Sequence, residues 1–214
     1  MSGYLSPGGP RVLAHRGLAL DAPENTLRAF EAAARAGAAY IETDVHRSRD
    51  GVAIVSHDPT LDRVAGRPGR VGDLSTGELA AIDLGGGGFP TLVEALDAFP
   101  AIRFNIDVKE EAAADATVAA VRAAGASDRV LLTSFDERRR RRLAALLPGV
   151  ATSVGSFGVV RAVLAAPLGG RAVARAVAGA VALQVPERQG PVRVVSPDSC
   201  ARRTRRVSRC TSGP

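Results

Sequence analysis

The chain has 214 residues, a hydrophobic fraction of 46% and a charged fraction of 23%. These values exclude a disordered, collagen-like or disulfide-scaffold protein and leave room for one ordinary domain with a substantial core. No apolar run reaches the roughly 18 residues of a membrane helix, and the first residues lack a charged segment followed by an apolar one, so a cytoplasmic protein without a membrane span is expected. The net charge is +6, yet of the 28 basic residues only Lys109 is a lysine. An arginine bias of this kind, with abundant Ala, Gly and Val, reflects GC-rich coding and weakens the case for a polyanion partner. Cys200 and Cys210 lie in the last fifteen residues with no His beside them, and neither is given a role.

Short β-rich runs alternate with alanine-rich stretches, the rhythm of an α/β protein. In chain order the strands are predicted at Arg11–His15, Tyr40–Val45, Val52–His57, Ile102–Val108, Val130–Ser134, Val150–Val154 and Ala182–Val185. The first helix is predicted over Thr26–Ala36, capped by Asn25 and stopped by Gly37. Ser75 with Glu78 and Thr91 with Glu94 form two capping boxes, so helices should start near Thr76 and Leu92. Glu111–Ala124, Asp136–Leu147 and a broken pair within Val159–Ala180 supply further crossovers. Only His46–Gly51 separates the second strand from the third, which demands a hairpin. A turn centred on Asp50-Gly51 would set Asp44 opposite His57.

Chemistry-bearing residues gather at strand ends, where α/β barrels build their sites. His15-Arg16-Gly17 closes the first strand. Glu42 and Asp44 are two apart on the second, so both carboxylates share a face. On a buried strand such a pair resists ionisation unless a cation neutralises it, and a divalent metal does so economically. Asp107 and Lys109 repeat the spacing on the fourth strand, a combination that suits a metal and a phosphate. His46, flanked by Arg47 and Arg49, is expected at the surface. Gly85–Gly88 reads as a loop and Arg138–Arg142 as a solvated helix face. The chain also lacks the interleaved aromatics of a nucleic-acid stacking platform.

These residues resemble the glycerophosphodiester phosphodiesterase family: AHRG at Ala14–Gly17, PENTLRAF at Pro23–Phe30, IETDV at Ile41–Val45, HDPTLDR at His57–Arg63, DLS at Asp73–Ser75, PTL at Pro90–Leu92 and NIDVK at Asn105–Lys109, with a weaker likeness from Thr133–Phe135 to about Pro197. The resemblance implies a TIM-type (β/α) barrel that hydrolyses glycerophosphodiesters to an alcohol and glycerol 3-phosphate with one divalent cation, Mg²⁺, Ca²⁺ or Mn²⁺. Carried over by motif, Glu42, Asp44 and Asp107 are the metal ligands, although many members have Glu where this chain has Asp107. His15 and His57 are the general acid and base in an order left open, and Arg16 and Lys109 bind the substrate phosphate. Asp58 would orient His57, and Asn25 would act only as an N-cap.

Residues 1–198 are read as the barrel domain, expected to lack its last two strands, and 199–214 as a basic, disordered tail with five arginines. Back-translated in another frame, that tail permits VRAAHAAGVAVHVWT, a family-like helix and strand, so a truncated or frameshifted member is expected. The alternatives are an inactive remnant of such an enzyme and a basic nucleic-acid-binding module. No nucleic-acid partner is expected.

Overall fold

The computed structural model describes residues 3–6 and 11–154 and, beyond them, 161, 164–165, 169–177, 180–186, 188–189, 192–193 and 210–213. The elements follow one another as β1 (Leu13–His15), α1 (Leu27–Arg35), β2 (Tyr40–Arg47), β3 (Ala53–Val55), α2 (Asp62–Ala65), α3 (Thr76–Ala80), α4 (Leu92–Ala98), β4 (Arg103–Val108), α5 (Ala113–Ala123), β5 (Val130–Thr133), α6 (Glu137–Leu146), β6 (Ala151–Val154), α7 (Gly170–Ala176) and β7 (Ala182–Pro186). A two-residue ladder, β8 (Arg188–Gln189) with β9 (Val192–Arg193), and a strand β10 (Cys210–Gly213) complete the described elements. The main sheet runs in the order β1-β2-β4-β5-β6-β7-β10, every neighbouring pair parallel, with β3 antiparallel to the end of β2. Of the segment expected as an unstructured tail, Cys210–Gly213 pairs with β7. The other residues of 199–214 lie outside the described ones, as does most of the segment where a helix was expected before Gly169.

Period-two geometry divides the sheet into two chemically different faces. Outward residues such as Ile41, Val45, Phe104, Ile106, Val130 and Leu132 join Phe30 of α1, Leu92 and Leu96 of α4, Val118 and Val121 of α5 and Leu143 of α6 in one buried cluster. Phe30 meets Phe104 edge to face at 5.7 Å. On the inward face Tyr40, Leu131, Ala151 and Ala182 pack with Tyr4. Toward the C-terminal strand ends the same face turns polar, with Glu42, Asp44, Asn105, Asp107, Thr133 and Ser153. An apolar plug therefore lies beneath a polar floor. A third cluster, Ile54, Leu61, Val71, Leu79, Ile82, Leu84 and Phe89, gives the long β3–α4 connection a small core of its own.

Both capping boxes form as the spacing requires, and α3 and α4 begin at Thr76 and Leu92. The cap of α1 differs. Thr26 caps it, its hydroxyl accepting from Ala29 N, while Asn25 adopts a left-handed φ of 57° and turns elsewhere. Asn tolerates that conformation better than most residues, which releases its amide for another partner.

The hairpin forms one step out of the expected register. Val45 faces Val55 and His46 faces Ile54, and Ser56 N donates to Asp44 O, so Ser56 and not His57 lies opposite Asp44. The loop has three residues, not two. Ser48 N donates to Val52 O, and Gly51 takes the left-handed conformation at φ 89° that such loops need at their last position. Asp50 is recruited instead to the first turn of α3, where its carboxylate accepts from Thr76 N at 3.0 Å. Phe104→Ala should cost about 3–5 kcal/mol, because the ring is fully buried between α1 and the sheet. Urea denaturation of the two chains would measure it.

Candidate active site

The parallel register assembles the polar floor from three strands. His15 pairs with Glu42, Glu42 with Asn105, and Asp44 with Asp107. Chain segments some thirty and sixty residues apart therefore meet at the C-terminal strand ends. Gly17, at φ 87°, turns the chain out of β1, and a Cβ there would stand 2.7 Å from the backbone of Ala29, so glycine alone lets this turn lie against α1.

Asp44 is the most heavily engaged group. Lys109 Nζ lies 2.8 Å from its Oδ1 and Asn25 Nδ2 donates to Oδ2 at 3.0 Å, while Arg16 Nε stands 3.3 Å from Oδ2 without hydrogen-bond geometry. Thr43 Oγ1 donates to Asn25 Oδ1 at 2.8 Å and fixes the amide. Sequence reasoning had confined Asn25 to a capping role. Its place beside a buried carboxylate was missed, and the signal available was Thr26, a competent cap one residue later. Lys109 Nζ also donates to Asp107 Oδ2 at 2.6 Å, so the single ammonium of the chain bridges two of the three carboxylates.

The remaining carboxylate oxygens are left over. Glu42 Oε2 and Asp107 Oδ1 are buried without a hydrogen-bond partner among the described residues, as is Asn105 Oδ1. His15 Nε2, on a half-exposed ring, is the group nearest Glu42 Oε2 among the charged contacts, at 3.7 Å, too far for a hydrogen bond. Burial, and next the charges of Asp44 and Asp107, push the Glu42 carboxyl up to about 8. Burial also raises Asp107. For Lys109 burial works against the charge, but Asp107 and Asp44 outweigh it and hold the ammonium above its ordinary value.

Orphaned, desolvated oxygens on hard carboxylate donors fit a divalent cation, which would supply the partner they lack. Among the described residues no three His, Cys, Asp or Glu side chains are arranged to hold a metal ion as they stand, and Lys109 bridges Asp44 and Asp107. A cation held by Glu42, Asp44 and Asp107 would compete with that ammonium.

His57 lies just beyond β3, a third exposed, its Nδ1 2.6 Å from Asp58 Oδ1. His46 is not at the surface as expected. It is 5% exposed, because β2 extends through Arg47 and is covered on both faces, and its ring contacts His57 O at 3.2 Å and Glu110 Oε1 at 3.4 Å. The arginine run of α6 is also only partly a solvated face. Arg140 is buried, bonded to Thr152 Oγ1 and to both oxygens of Glu137. Arg139 reaches inward, where its Nη1 donates to Val108 O, Lys109 O and Ser134 Oγ at 2.9–3.0 Å and braces the strand end that carries Lys109. The helix turns these two side chains toward the sheet, which a run of identical residues conceals.

The profile of the glycerophosphoryl diester phosphodiesterase family matches residues 15–210, a span that takes in every residue of this site. The chain belongs to that family. It is 41% identical over 198 residues to a probable glycerophosphodiester phosphodiesterase 2 of Mycobacterium tuberculosis, covering 91% of this chain and 75% of the relative. A glycerophosphodiester phosphodiesterase from Agrobacterium tumefaciens superposes with a TM-score of 0.68 at 30% identity, covering 82% of this chain and 75% of that one. An Oleispira antarctica phosphodiesterase, solved with its product sn-glycerol-3-phosphate, gives 0.69 at 26% identity over 83% and 75%. The fold is thus the TIM-type barrel of this family. Among the described residues no helix is long and apolar enough to cross a membrane.

The raised Glu42 gives a pH test. Its folded-state value near 8 exceeds the ordinary 4.5, so the folded chain without an ion binds the extra proton. Its contribution to stability is complete below about pH 4.5 and is lost as pH rises toward 8. The melting temperature of chelator-treated protein should fall across that window, and Glu42→Gln should flatten the fall. Divalent cation at a hundredfold excess over Kd should raise the melting temperature by about 5–10 °C at pH 8, and by less at pH 5, where protons compete. An equal rise at both values, or no rise, would exclude these carboxylates as the ion's ligands.

Proposed function

We propose that the chain hydrolyses glycerophosphodiesters to an alcohol and glycerol 3-phosphate, and that it needs one divalent cation to do so. The observation that carries the proposal is the juxtaposition of His15 and two cationic side chains at a buried carboxylate floor with oxygens unpartnered among the described residues, with His57 near enough for its charge to act on His15. Family membership supports the reaction class, and the product complex of the Oleispira relative supports the substrate class. Glu42, Asp44 and Asp107 would hold the cation, which when bound polarises the phosphoryl group and offsets the negative charge of its ligands.

Arg16 and Lys109 bind the non-bridging phosphate oxygens and stabilise the charge that grows as phosphorus becomes five-coordinate. His57 is assigned as the acid. The Asp58 carboxylate 2.6 Å from Nδ1 holds the ring in place and leaves Nε2 to face the departing alkoxide and protonate it. Among the described residues His15 has no carboxylate within hydrogen-bond reach, and burial and Arg16 disfavour its charged form, so its neutral ring is the base that takes the proton from the attacking hydroxyl or water. The new O–P bond forms as the bond to the alcohol oxygen breaks, and one proton moves at each end; with water attacking the product is glycerol 3-phosphate, and with the substrate's own hydroxyl attacking it is a cyclic phosphate that water then opens, the two histidines exchanging roles.

Release of glycerol 3-phosphate from glycerophosphocholine and glycerophosphoethanolamine, with and without chelator, tests the reaction. Chelator should abolish turnover, and His15→Ala or His57→Ala should lower kcat by about 10²–10⁴-fold. On a glycerophosphodiester of p-nitrophenol, whose leaving group needs no proton, His57→Ala should recover most of its loss and His15→Ala should not. The reverse pattern would exchange the two assignments. Absence of turnover in the folded, cation-loaded protein would remove the substrate class.

A further inference from the structure

A charged network joins the two halves of the site through Arg63 and Glu24, to which the reaction gives no role. Asp58, whose Oδ1 meets His57 Nδ1, accepts on Oδ2 from Arg63 Nε at 2.5 Å. The same guanidinium reaches Glu24 Oε1 through Nη2 at 2.7 Å. Glu24 Oε1 also accepts from Arg16 Nη1 at 2.9 Å. Glu24 lies in the loop between β1 and α1, and Arg63 on the four-residue helix α2, which ends at Gly66 with a left-handed φ of 61°. Two loops that are remote in the chain are thereby tied across the mouth of the site.

We infer that Arg63 is a positioning residue, which holds His57 and Arg16 in one fixed relation by gripping Asp58 and Glu24 with the two arms of its guanidinium. Arginine suits this task because its donors form a rigid planar fork, whereas an ammonium is a single point charge that cannot span both carboxylates in the same way. Burial opposes ionisation of Glu24 and Asp58, but the bonds from Arg63, aided by Arg16 and His57 respectively, hold both carboxyls below their ordinary values. Stability does not explain the arrangement. The Arg63 side chain is half exposed, and ion pairs at such positions contribute little to folding. Orientation does explain it. The Asp58 contact fixes which His57 nitrogen carries the inner proton and keeps the other for substrate, while the Glu24 contact sets the direction of the Arg16 fork.

This role rests on the reading of His57 and Arg16 as acid and phosphate ligand, so the test combines turnover with a measurement that does not need it. With glycerophosphocholine and a saturating divalent cation, Arg63→Ala in the full chain should lower kcat about 10–100-fold and raise KM several-fold, with the melting temperature within a few degrees of the parent. Arg63→Lys, which can keep one contact, should fall between. Arg63→Ala added to Asp58→Asn should lower kcat by less than the product of the two separate effects. Long-range ¹H–¹⁵N spectra of the chain's three histidines, taken at a pH high enough for the rings to be neutral, should show His57 keeping its remaining proton on Nδ1 in the parent, and an averaged or inverted tautomer in Arg63→Ala. A kcat and KM within twofold of the parent, or an unchanged His57 tautomer, would overturn the role. Where the parent turns over no glycerophosphodiester, the functional reading falls, and the imidazole spectra alone decide whether Arg63 positions His57.

Discussion

Three carboxylates on one buried sheet face dominate the energetics of this molecule. Like charges in a low-dielectric floor repel and lose hydration at once, so every nearby element supplies something that offsets them. Lys109 bridges Asp44 and Asp107, and Asn25 and Arg16 turn toward Asp44. For Glu42, burial and the charges of Asp44 and Asp107 outweigh the pull of Lys109 and Arg16, and it shifts toward its neutral form instead. The same imbalance that makes the floor costly to fold is what the proposed cation and anionic substrate would relieve together. Catalysis of phosphoryl transfer asks for that combination, since positive groups fixed in advance need not reorganise as charge develops.

Around this floor the fold separates stability from chemistry along each strand. Ile41 and Val45 face the helices while Glu42 and Asp44 face inward, and Phe104 and Ile106 alternate with Asn105 and Asp107. Below the polar layer, Tyr40 and Leu131 fill the interior with Tyr4. Helices whose caps are built into their own sequence, as Ser75 with Glu78 and Thr91 with Glu94, need little from the rest of the chain to start in the right place. Precision at the strand ends can then be spent on polar groups.

Much of this was legible in the sequence because it depends on periods. The alternation of Glu42 with Asp44 and of Asp107 with Lys109, the crossover rhythm and both capping boxes are local patterns. What escaped depends on single steps or on tertiary facing. One additional loop residue, marked by Gly51, moved Asp44 from His57 to Ser56. His46 was read from its charged neighbours, yet the strand continues past it and buries it against Glu110 and His57. Asn25 and Thr26 are both good caps in isolation, and only the position of Asp44 decides between them. Five consecutive arginines carry no periodicity at all, so nothing in the run distinguished Arg139 and Arg140, which face the sheet, from their exposed neighbours.

The β3–α4 connection carries His57 and Asp58 and packs around Ile54, Leu61, Leu79 and Phe89, apart from the main cluster. A segment with its own small core can open without the barrel unfolding, at a lower free energy than global denaturation. The carboxylate floor belongs to central strands and would survive such an opening intact. Two resistances to heat would then coexist in one chain: the temperature at which the carboxylate floor is lost, and a lower one at which His57 swings away from it. Inactivation on warming would then precede the loss of circular dichroism and reverse fully on cooling, with amide protons of the connection exchanging ahead of those in β2 and β4.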